Sequence, residues 1–505
     1  MTRFGPVGES RPTRWASGAR ILAAIGMVAV VCIATFADYL SSWLPNVGGY
    51  PAGAVLRDGV AISFVCLAVA ILFRNRSGWS RASLAPRAAG RPPAVAGLAI
   101  VPFAVLVAWV LMLVLPSPAT VPAFLAARNL LLYTMVGFAA YVLMARRSLS
   151  IGVLLGTLTA VGFVAAGMGI LDTATHGGIV TSLGYDRDYS GVEGSAGRLI
   201  SGTSAMFQGY VRASGGISNA LVFGYLMAAI AVFATWMLER AVIRSGWRSW
   251  PAAVYVALGI VAGVACIESL TRGAMIALVV GLLVLVVLRR SRPILVGAIS
   301  TVTMALLLTG AGSGFISTQP PGSATFPGQS AAPSQAPAPG QTAGAATAGP
   351  GLLDIVGTRV TSSDPSSQES SSLRLDQVRL GLESLAARPM GNGLGTEGSA
   401  STRSGKAQAD LTPDIFVLIV ALQTGILGAI LYGLIFVVMI LWAARGPSQG
   451  RALVLAMIGI FGTSAVLSSS PDAPVFATTI WILILAVSAA PALDGRGVQP
   501  ILSGP

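Results

Sequence analysis

The stretch SNALVFGYLMAAIAVFATWMLE, residues 218–239, indicates the fold class of this chain. Its only charged residue is Glu239 at the end, and a helix of this length can cross the ~30 Å hydrocarbon core of a bilayer. Similar runs recur through the 505 residues, which are 54% hydrophobic and only 10% charged, with a mean hydropathy of +0.77. The composition therefore predicts an all-α integral membrane protein.

Twelve apolar runs are spaced along the chain, and each predicts one transmembrane helix. They lie at about 19–40, 55–73, 94–115, 123–144, 150–171, 218–239, 251–268, 273–288, 294–312, 414–443, 452–469 and 474–492. The first run follows a basic N-terminus but lacks a convincing small-residue cleavage site, so we expect an uncleaved span. The runs divide the chain into residues 1–312 with spans 1–9, residues 313–413 as a large external loop, and residues 414–505 with spans 10–12 and a short tail.

The distribution of arginines predicts the orientation of these spans. With the N-terminus in the cytoplasm, 20 of the 32 Lys and Arg residues fall on the cytoplasmic side, but only three of the 19 acidic residues do. This is the positive-inside pattern of bacterial membrane proteins, so both termini are predicted to be cytoplasmic. The net charge of +13 then reflects topology and does not indicate a nucleic-acid partner.

Two external segments are too long to be simple connectors. The first, residues 172–217, carries four acids and the sole histidine, His176, for which a loop position without function is the simplest interpretation. The second, residues 313–413, begins with a spacer at 317–351 that has no charge and many prolines. Such a composition offers too little apolar surface to offset the entropy of ordering, so we expect disorder there.

The stretch SSLRLDQVRLGLESLAARPMGNGLG, residues 371–395, lies in the second half of the same loop and predicts an amphipathic helix followed by a tight turn. Ser371 and Ser372 are predicted N-caps, and Pro389 prevents continuation of the helix. The leucines and valine at 375, 378, 382 and 385 recur on one face. The glycines that follow Pro389 allow a tight backbone path or the close approach of a ligand.

Charged residues that could carry chemistry cluster on the predicted external side. Arg212 opens RASGGISN, Arg272 stands in SLTRG, Arg374 begins the external helix with Arg379 nearby, and Asp414 lies at the mouth of the tenth span. A single arginine at a span end usually anchors the helix at the membrane interface. Several on the side that the positive-inside rule disfavours indicate an anionic ligand, because guanidinium groups match phosphate oxygens.

Four segments resemble the motifs of the O-antigen ligase / O-antigen polymerase superfamily, in the family's order. They are RASGGISN (212–219), SLTRG (269–273), RLDQVRLGLESLAARPMGNGLG (374–395) and LQTGILG (422–428). The resemblance implies a polytopic, metal-independent glycosyltransferase of GT-C type that needs no cofactor. Such an enzyme in the bacterial cytoplasmic membrane moves a glycan from a polyprenyl-diphosphate carrier to an acceptor glycan or lipid at the outer face, among membrane lipids.

The resemblance also implies roles for particular residues. The catalytic residues would be Arg212, Arg272, Arg374 and Asp414, and the substrate-binding residues would be Arg379, Asn219, Gly391 and Gly393. Glu268 lies outside the motifs, but its place near the same predicted external mouth makes it a further candidate for binding sugar hydroxyls.

Two positions depart from the family pattern. Val378 stands where the family often has a tryptophan, and Asp414 and Ile415 stand where many members have a His-Asn pair. The ligases use that histidine in catalysis, so its replacement favours a polymerase-like member over a ligase. Asp414 could act as the base for an incoming sugar hydroxyl, or it could simply cap the tenth span.

Two alternatives remain at this stage. One is a transporter for lipid-linked glycans or small molecules, and the other is a non-catalytic envelope-assembly protein of the same fold. Ion-coupled transporters place ionisable groups near the middle of the membrane, whereas the span centres here hold few polar residues, among them Gln423. Charged residues near span ends, such as Arg57 and Asp58, are expected to meet water or each other.

Overall fold

A computed structural model describes residues 14–44, 51–74, 99–115, 120–146, 148–175, 206–207, 210–215, 219–312, 365–397, 415–445 and 448–489, together with residues 47, 117 and 217. The spacer at 317–351 and the residues His176 and Asp414 lie outside the described residues.

The described chain is almost entirely helical. The α-helices are α1 (Arg14–Trp43), α2 (Ala52–Arg74), α3 (Ile100–Val114), α4 (Thr120–Ala145), α5 (Ile151–Ala174), α6 (Ala220–Ser245), α7 (Trp250–Glu268), α8 (Arg272–Arg289), α9 (Arg292–Gly312), α10 (Pro365–Ala387), α11 (Phe416–Arg445), α12 (Ser448–Leu467) and α13 (Pro474–Ala489). Two short antiparallel strands, β1 (Met206–Phe207) and β2 (Tyr210–Val211), precede α6, and a 3₁₀ turn at Ser470–Asp472 precedes α13. The all-α prediction is therefore confirmed apart from this small hairpin.

Ten helices in the described part are long and apolar enough to cross a membrane, and they coincide with ten of the predicted spans. The predicted spans at 94–115 and 474–492 correspond to apolar helices that are shorter, with apolar segments at Ile100–Val114 and Pro474–Val487. A polytopic membrane protein is thus confirmed, while the count of twelve spans stays a prediction.

Helix α6 forms the centre of the bundle. It packs against α5, α7, α8, α9, α12 and α13, and 94% of its apolar stretch is buried. By contrast, only 28% of the apolar stretch of α2 or α11 is buried. Apolar side chains exposed on such outer helices are expected when the surrounding solvent is lipid.

The helix predicted within residues 371–395 exists, but two details of the prediction were wrong. Helix α10 begins at Pro365, so Ser371 and Ser372 lie inside it and do not cap it. Proline is well suited to a first helical turn because its missing N–H has no intrahelical partner there. The predicted apolar face is also only half covered, since Leu375 and Leu382 are 70% and 55% exposed.

The buried face of α10 is centred on Gly381, one residue before Leu382 of the predicted apolar face. A Cβ on Gly381 would lie 2.7 Å from Leu418 of α11, so the two helices touch at this glycine. Helix α10 ends at Ala387, as Pro389 predicted, and the glycine-rich turn follows it.

Candidate functional site

The first two motifs meet at the end of α7. Arg212 donates from Nε to the Ser269 carbonyl oxygen at 2.8 Å and from Nη2 to the Thr271 hydroxyl at 2.8 Å. The backbone N–H of Ala213 donates to the Glu268 carbonyl oxygen at 3.1 Å. These three bonds fix the Arg212 guanidinium against the connection between α7 and α8.

That connection has an unusual backbone. Leu270 has φ +50°, a left-handed conformation that a residue with a branched side chain rarely adopts. Such strain costs on the order of 1–3 kcal/mol and is found mainly where a site requires a particular geometry. Here it separates Glu268, the last residue of α7, from Arg272, the first residue of α8.

Glu268 and Arg272 both carry polar atoms that lack protein partners. Glu268 is 8% exposed, and its Oε2 is buried with no hydrogen-bond partner in the described part of the chain. The same holds for Nε of Arg272. Buried polar atoms are nearly always paired in folded proteins, so unpaired ones on the turn that anchors Arg212 are available to a polar ligand.

A further carboxylate borders this site. Asp172, in the last turn of α5, is 3% exposed and accepts a hydrogen bond from the Ser214 hydroxyl at 3.2 Å. Helix α5 continues to Ala174, so the external segment predicted from residue 172 begins slightly later.

The start of α11 reaches the same end of the bundle. A Cβ on Gly273 would lie 3.5 Å from Cβ of Leu467, which places the start of α8 against the end of α12. The next carbonyl, of Ser468, accepts a hydrogen bond from the backbone N–H of Phe416 at 3.0 Å. Asp414 precedes Phe416 by two residues but is not itself described.

The third and fourth motifs also meet each other. Helix α11 is broken at Gly425, which has φ +75° and ψ 178°. The glycine-rich turn binds the groups that the break releases: Asn392 N–H donates to the Leu422 carbonyl at 2.6 Å, and Ile426 N–H donates to the Pro389 carbonyl at 2.9 Å. Because unpaired backbone groups are costly near lipid, the turn stabilises the broken helix.

Two more side chains secure the break. Trp109 of α3 donates from Nε1 to the Thr424 carbonyl at 2.8 Å. The Gln423 amide donates from Nε2 to the Glu397 carbonyl oxygen. The sequence shows Gln423 only as a polar residue within a span, and its role becomes visible only in the tertiary structure.

The predicted substrate-binding residues fall in different places. A Cβ on Gly391 would lie 2.7 Å from Gly425 N and from Leu422 O, so this glycine allows close contact with α11. Gly393 has φ +101° and open space around it. Asn219 caps α6, accepting a hydrogen bond from Leu221 N–H at 2.8 Å.

The arginines of α10 are less well defined. Arg379 is 78% exposed and pairs with Glu383 at 3.0 Å on the face opposite the contact with α11. Arg374 lies in α10, but its side chain is outside the described residues. The structure thus places Arg212 against the turn between Glu268 and Arg272, and the roles of all the predicted site residues stay predictions.

The sequence analysis did not single out Glu397. This residue follows the glycine-rich turn, is 1% exposed, and has no hydrogen-bond partner in the described residues for either carboxylate oxygen. Burial raises the pKa of Glu397 to about 7, and a nearby Asn392 amide opposes this rise. A glutamate in an external loop appears solvent-exposed from sequence, so no local signal could have found it.

A second buried charged cluster joins α2 to α4. Asp58 accepts from Arg57 at 3.2 Å, from Arg128 at 2.7 Å and from the Tyr133 hydroxyl at 2.9 Å. Arg57 is 5% exposed and its Nη2 has no partner among the described residues. The expectation that charged residues near these span ends meet each other is confirmed, and they do so inside the bundle.

These features define a polytopic helical membrane protein with a cationic site at one end of the bundle. No family model matches the chain. The chain is similar to a curated protein of Salmonella muenchen named O-antigen polymerase, with 25% identity over 447 residues, or 86% of this chain and 96% of the relative. The resemblance to the O-antigen ligase / O-antigen polymerase superfamily, first indicated by four short motifs, is thereby confirmed over most of the chain.

Proposed function

We propose that this chain is a membrane glycosyltransferase of O-antigen polymerase type that acts in the assembly of a cell-surface polysaccharide. It transfers a glycan from a polyprenyl-diphosphate carrier to a hydroxyl of an acceptor glycan or lipid. The observation that carries the proposal is the fixed position of Arg212 beside the unpaired atoms of Arg272 and Glu268. The similarity to a protein named O-antigen polymerase supports the same class.

The arginines provide the electrostatic part of the mechanism. As the glycosidic bond breaks, the leaving diphosphate gains negative charge, so fixed cations stabilise the transition state more than the ground state. Arg212 is already oriented by its bonds to Ser269 and Thr271, so orienting it costs little during the reaction. Arg272 adds a second cation at the N-terminus of α8, where the helix dipole also favours an anion.

Helix α10 would provide the remaining contacts. Arg374 would approach the diphosphate from the external side, and Arg379 and Gly393 would contact the glycan. The packing of Gly381 and Gly391 on α11 supports a fixed position for this helix beside the bundle.

A carboxylate completes the proposal by accepting the proton of the acceptor hydroxyl. Asp414 is the residue that the resemblance indicates. The replacement of the family histidine by Asp414, and the name of the relative, both favour polymerase over ligase chemistry.

The proposed orientation follows from the arginine distribution. Both termini would lie in the cytoplasm and the active site would face outward from the bacterial cytoplasmic membrane. Arg212, which precedes α6, and Arg272, at the start of α8, would then lie at the outer face.

A transporter remains the alternative from another class, and one observation favours it. Asp58 and its two arginines lie inside the bundle, with Arg128 roughly 12 Å along α4 from its first residue. Buried ionisable groups within spans often mark transport paths. The cluster pairs mostly within itself, however, so a role in holding α2 against α4 is the simpler explanation.

The test is glycan transfer by the purified protein in lipid nanodiscs, with a synthetic polyprenyl-diphosphate oligosaccharide as donor. The wild type should form elongated product, and Arg212→Lys and Arg272→Lys should lower kcat about 10²–10³-fold, the usual effect of losing one fixed transition-state donor. Lysine cannot reproduce the two-point anchoring of Arg212. Arg248→Lys, at an exposed position in the loop between α6 and α7, is the matched control and should keep the wild-type rate. No product from the wild type would contradict the proposed function.

A further inference from the structure

Glu268 is the last residue of α7 and directly precedes Ser269, whose carbonyl oxygen anchors Arg212. Its own carbonyl binds Ala213 N–H, and the adjacent carbonyl, of Ser269, binds Arg212. We infer that Glu268, in place of Asp414, is the proton acceptor of the reaction, an inference that rests on the proposed function. This assignment places the base on the same turn that anchors the cationic site.

The backbone of this turn prevents an ion pair that helical geometry would otherwise favour. Glu268 and Arg272 are four residues apart, with the acid first, which is the best arrangement for a salt bridge on a continuous helix. The left-handed Leu270 interrupts the helix between them. Glu268 Oε2 and Arg272 Nε are consequently both buried and unpaired in the described residues.

An unpaired carboxylate is costly unless it has a use. Burying a charged group without a partner costs several kcal/mol, and pairing with Arg272 would offset that cost. Pairing would also make the carboxylate a weaker base, because an adjacent cation stabilises the charged form. A strained turn that leaves Oε2 of Glu268 and Nε of Arg272 unpaired therefore suits proton transfer better than it suits stability.

The other charged groups at this site have identified positions. Asp172 faces the site from α5 and is bonded to the Ser214 hydroxyl, while Arg212 is held by Ser269 and Thr271. Helices α6 and α9 contribute no charged side chain at this end, since Glu239 and Arg292 lie at their opposite ends. Asp172 therefore already accepts a hydrogen bond from a hydroxyl, whereas no described residue donates one to Oε2 of Glu268.

The reaction step balances as follows. The acceptor hydroxyl oxygen forms a bond to C1 of the donor glycan as the bond from C1 to the diphosphate oxygen breaks. The electron pair of that bond leaves with the diphosphate, next to Arg212 and Arg272. The proton of the hydroxyl passes to the Glu268 carboxylate, which later releases it to water on the outer side.

The test compares Glu268→Gln, Glu268→Asp and Asp414→Asn in the nanodisc transfer assay, with donor binding measured separately. Glu268→Gln should lower kcat about 10²–10⁴-fold, the usual contribution of a general base, while donor Kd changes less than about threefold. The acidic limb of the pH–rate profile should disappear in this variant. Glu268→Asp keeps a carboxyl and should keep that limb with a reduced rate, whereas a merely structural residue would leave the limb in place in Glu268→Gln as well.

The matched control is Asp376→Asn, which removes an exposed carboxylate of α10 and should leave the rate and profile unchanged. A wild-type rate and an intact acidic limb in Glu268→Gln would overturn the inference. Loss of that limb in Asp414→Asn but not in Glu268→Gln would also overturn it, because the general base would then be Asp414. If Glu268→Gln does not insert into the membrane, Glu268→Asp provides the test. Because this variant keeps a carboxyl group, loss of its acidic limb would also overturn the inference. If the wild type itself transfers nothing, the proposed function fails, and the inference fails with it.

Discussion

The contact between the glycine-rich turn and the break in α11 allows a sharp test with two neighbouring glycines. Replacing Gly391 by alanine adds a Cβ that would meet Gly425 N and Leu422 O, each at 2.7 Å. Both of these atoms belong to the backbone and cannot rotate away. The turn must therefore move outward from α11.

The cost of this movement can be worked from the structure. The φ of +85° at Gly391 costs an alanine about 1–2 kcal/mol, and overpacking adds about 1–3 kcal/mol. Outward movement also lengthens the bonds from Asn392 to Leu422 and from Ile426 to Pro389, which are worth roughly 0.5–1.5 kcal/mol each. We expect Gly391→Ala to destabilise the docked turn by about 3–8 kcal/mol.

Gly393→Ala is the matched control. Gly393 also has a positive φ, of +101°, but a Cβ there would meet nothing within 4 Å. Only the backbone strain applies, so the expected cost is about 1–2 kcal/mol. The difference between the two variants isolates the close approach to α11 from the general cost of a left-handed residue.

The assay is hydrogen exchange followed by mass spectrometry, which measures the exchange rates of peptides that contain the Asn392 and Ile426 amides. Because each 1.4 kcal/mol of local stability changes protection about tenfold, Gly391→Ala should exchange at least roughly 30-fold faster than Gly393→Ala. Equal exchange in the two variants would refute the argument that this approach holds the turn. Loss of donor binding in Gly393→Ala with normal exchange would support the predicted ligand role of that glycine.

Two further predictions concern buried carboxyl groups. The raised pKa of Glu397, about 7, means that the docked turn holds its proton more tightly than the undocked turn. Docking of the turn should therefore be strongest below about pH 4.5 and weaken as the pH rises towards 7. In Glu397→Gln, docking should become independent of pH. Hydrogen exchange between pH 5 and 8 measures the strength of docking, and stronger docking at pH 8 would contradict the prediction. Asp58→Asn leaves Arg57 and Arg128 without their shared acid and should lower the free energy of unfolding by about 3–5 kcal/mol, which thermal unfolding measures as a lower Tm. An unchanged Tm, equal to that of the exposed-site variant Asp376→Asn, would show that the cluster is not stabilising.

The sequence by itself determined the features that depend on local chemistry. Runs of about 20 apolar residues form helices in lipid because every backbone group must be paired within the segment, so the spans could be predicted with small errors at their ends. Pro389 ended α10 as predicted, because proline lacks the N–H that would continue the helix. The motifs with Arg212 and Arg272 were also predicted to lie on the same side, and the two motifs do meet in the structure.

Only the tertiary structure decided which groups meet, because that depends on residues far apart in the chain. Leucines at helical spacing cannot show that Gly381 is the point of contact and that Leu375 stays exposed. The pairing of Gly391 with Gly425 depends on a break in α11 that hydropathy does not reveal, since a glycine inside an apolar run is equally compatible with a straight helix. Whether a carboxylate such as Glu268 or Glu397 is paired depends on which donors the packing brings within reach, and this is set by the fold as a whole.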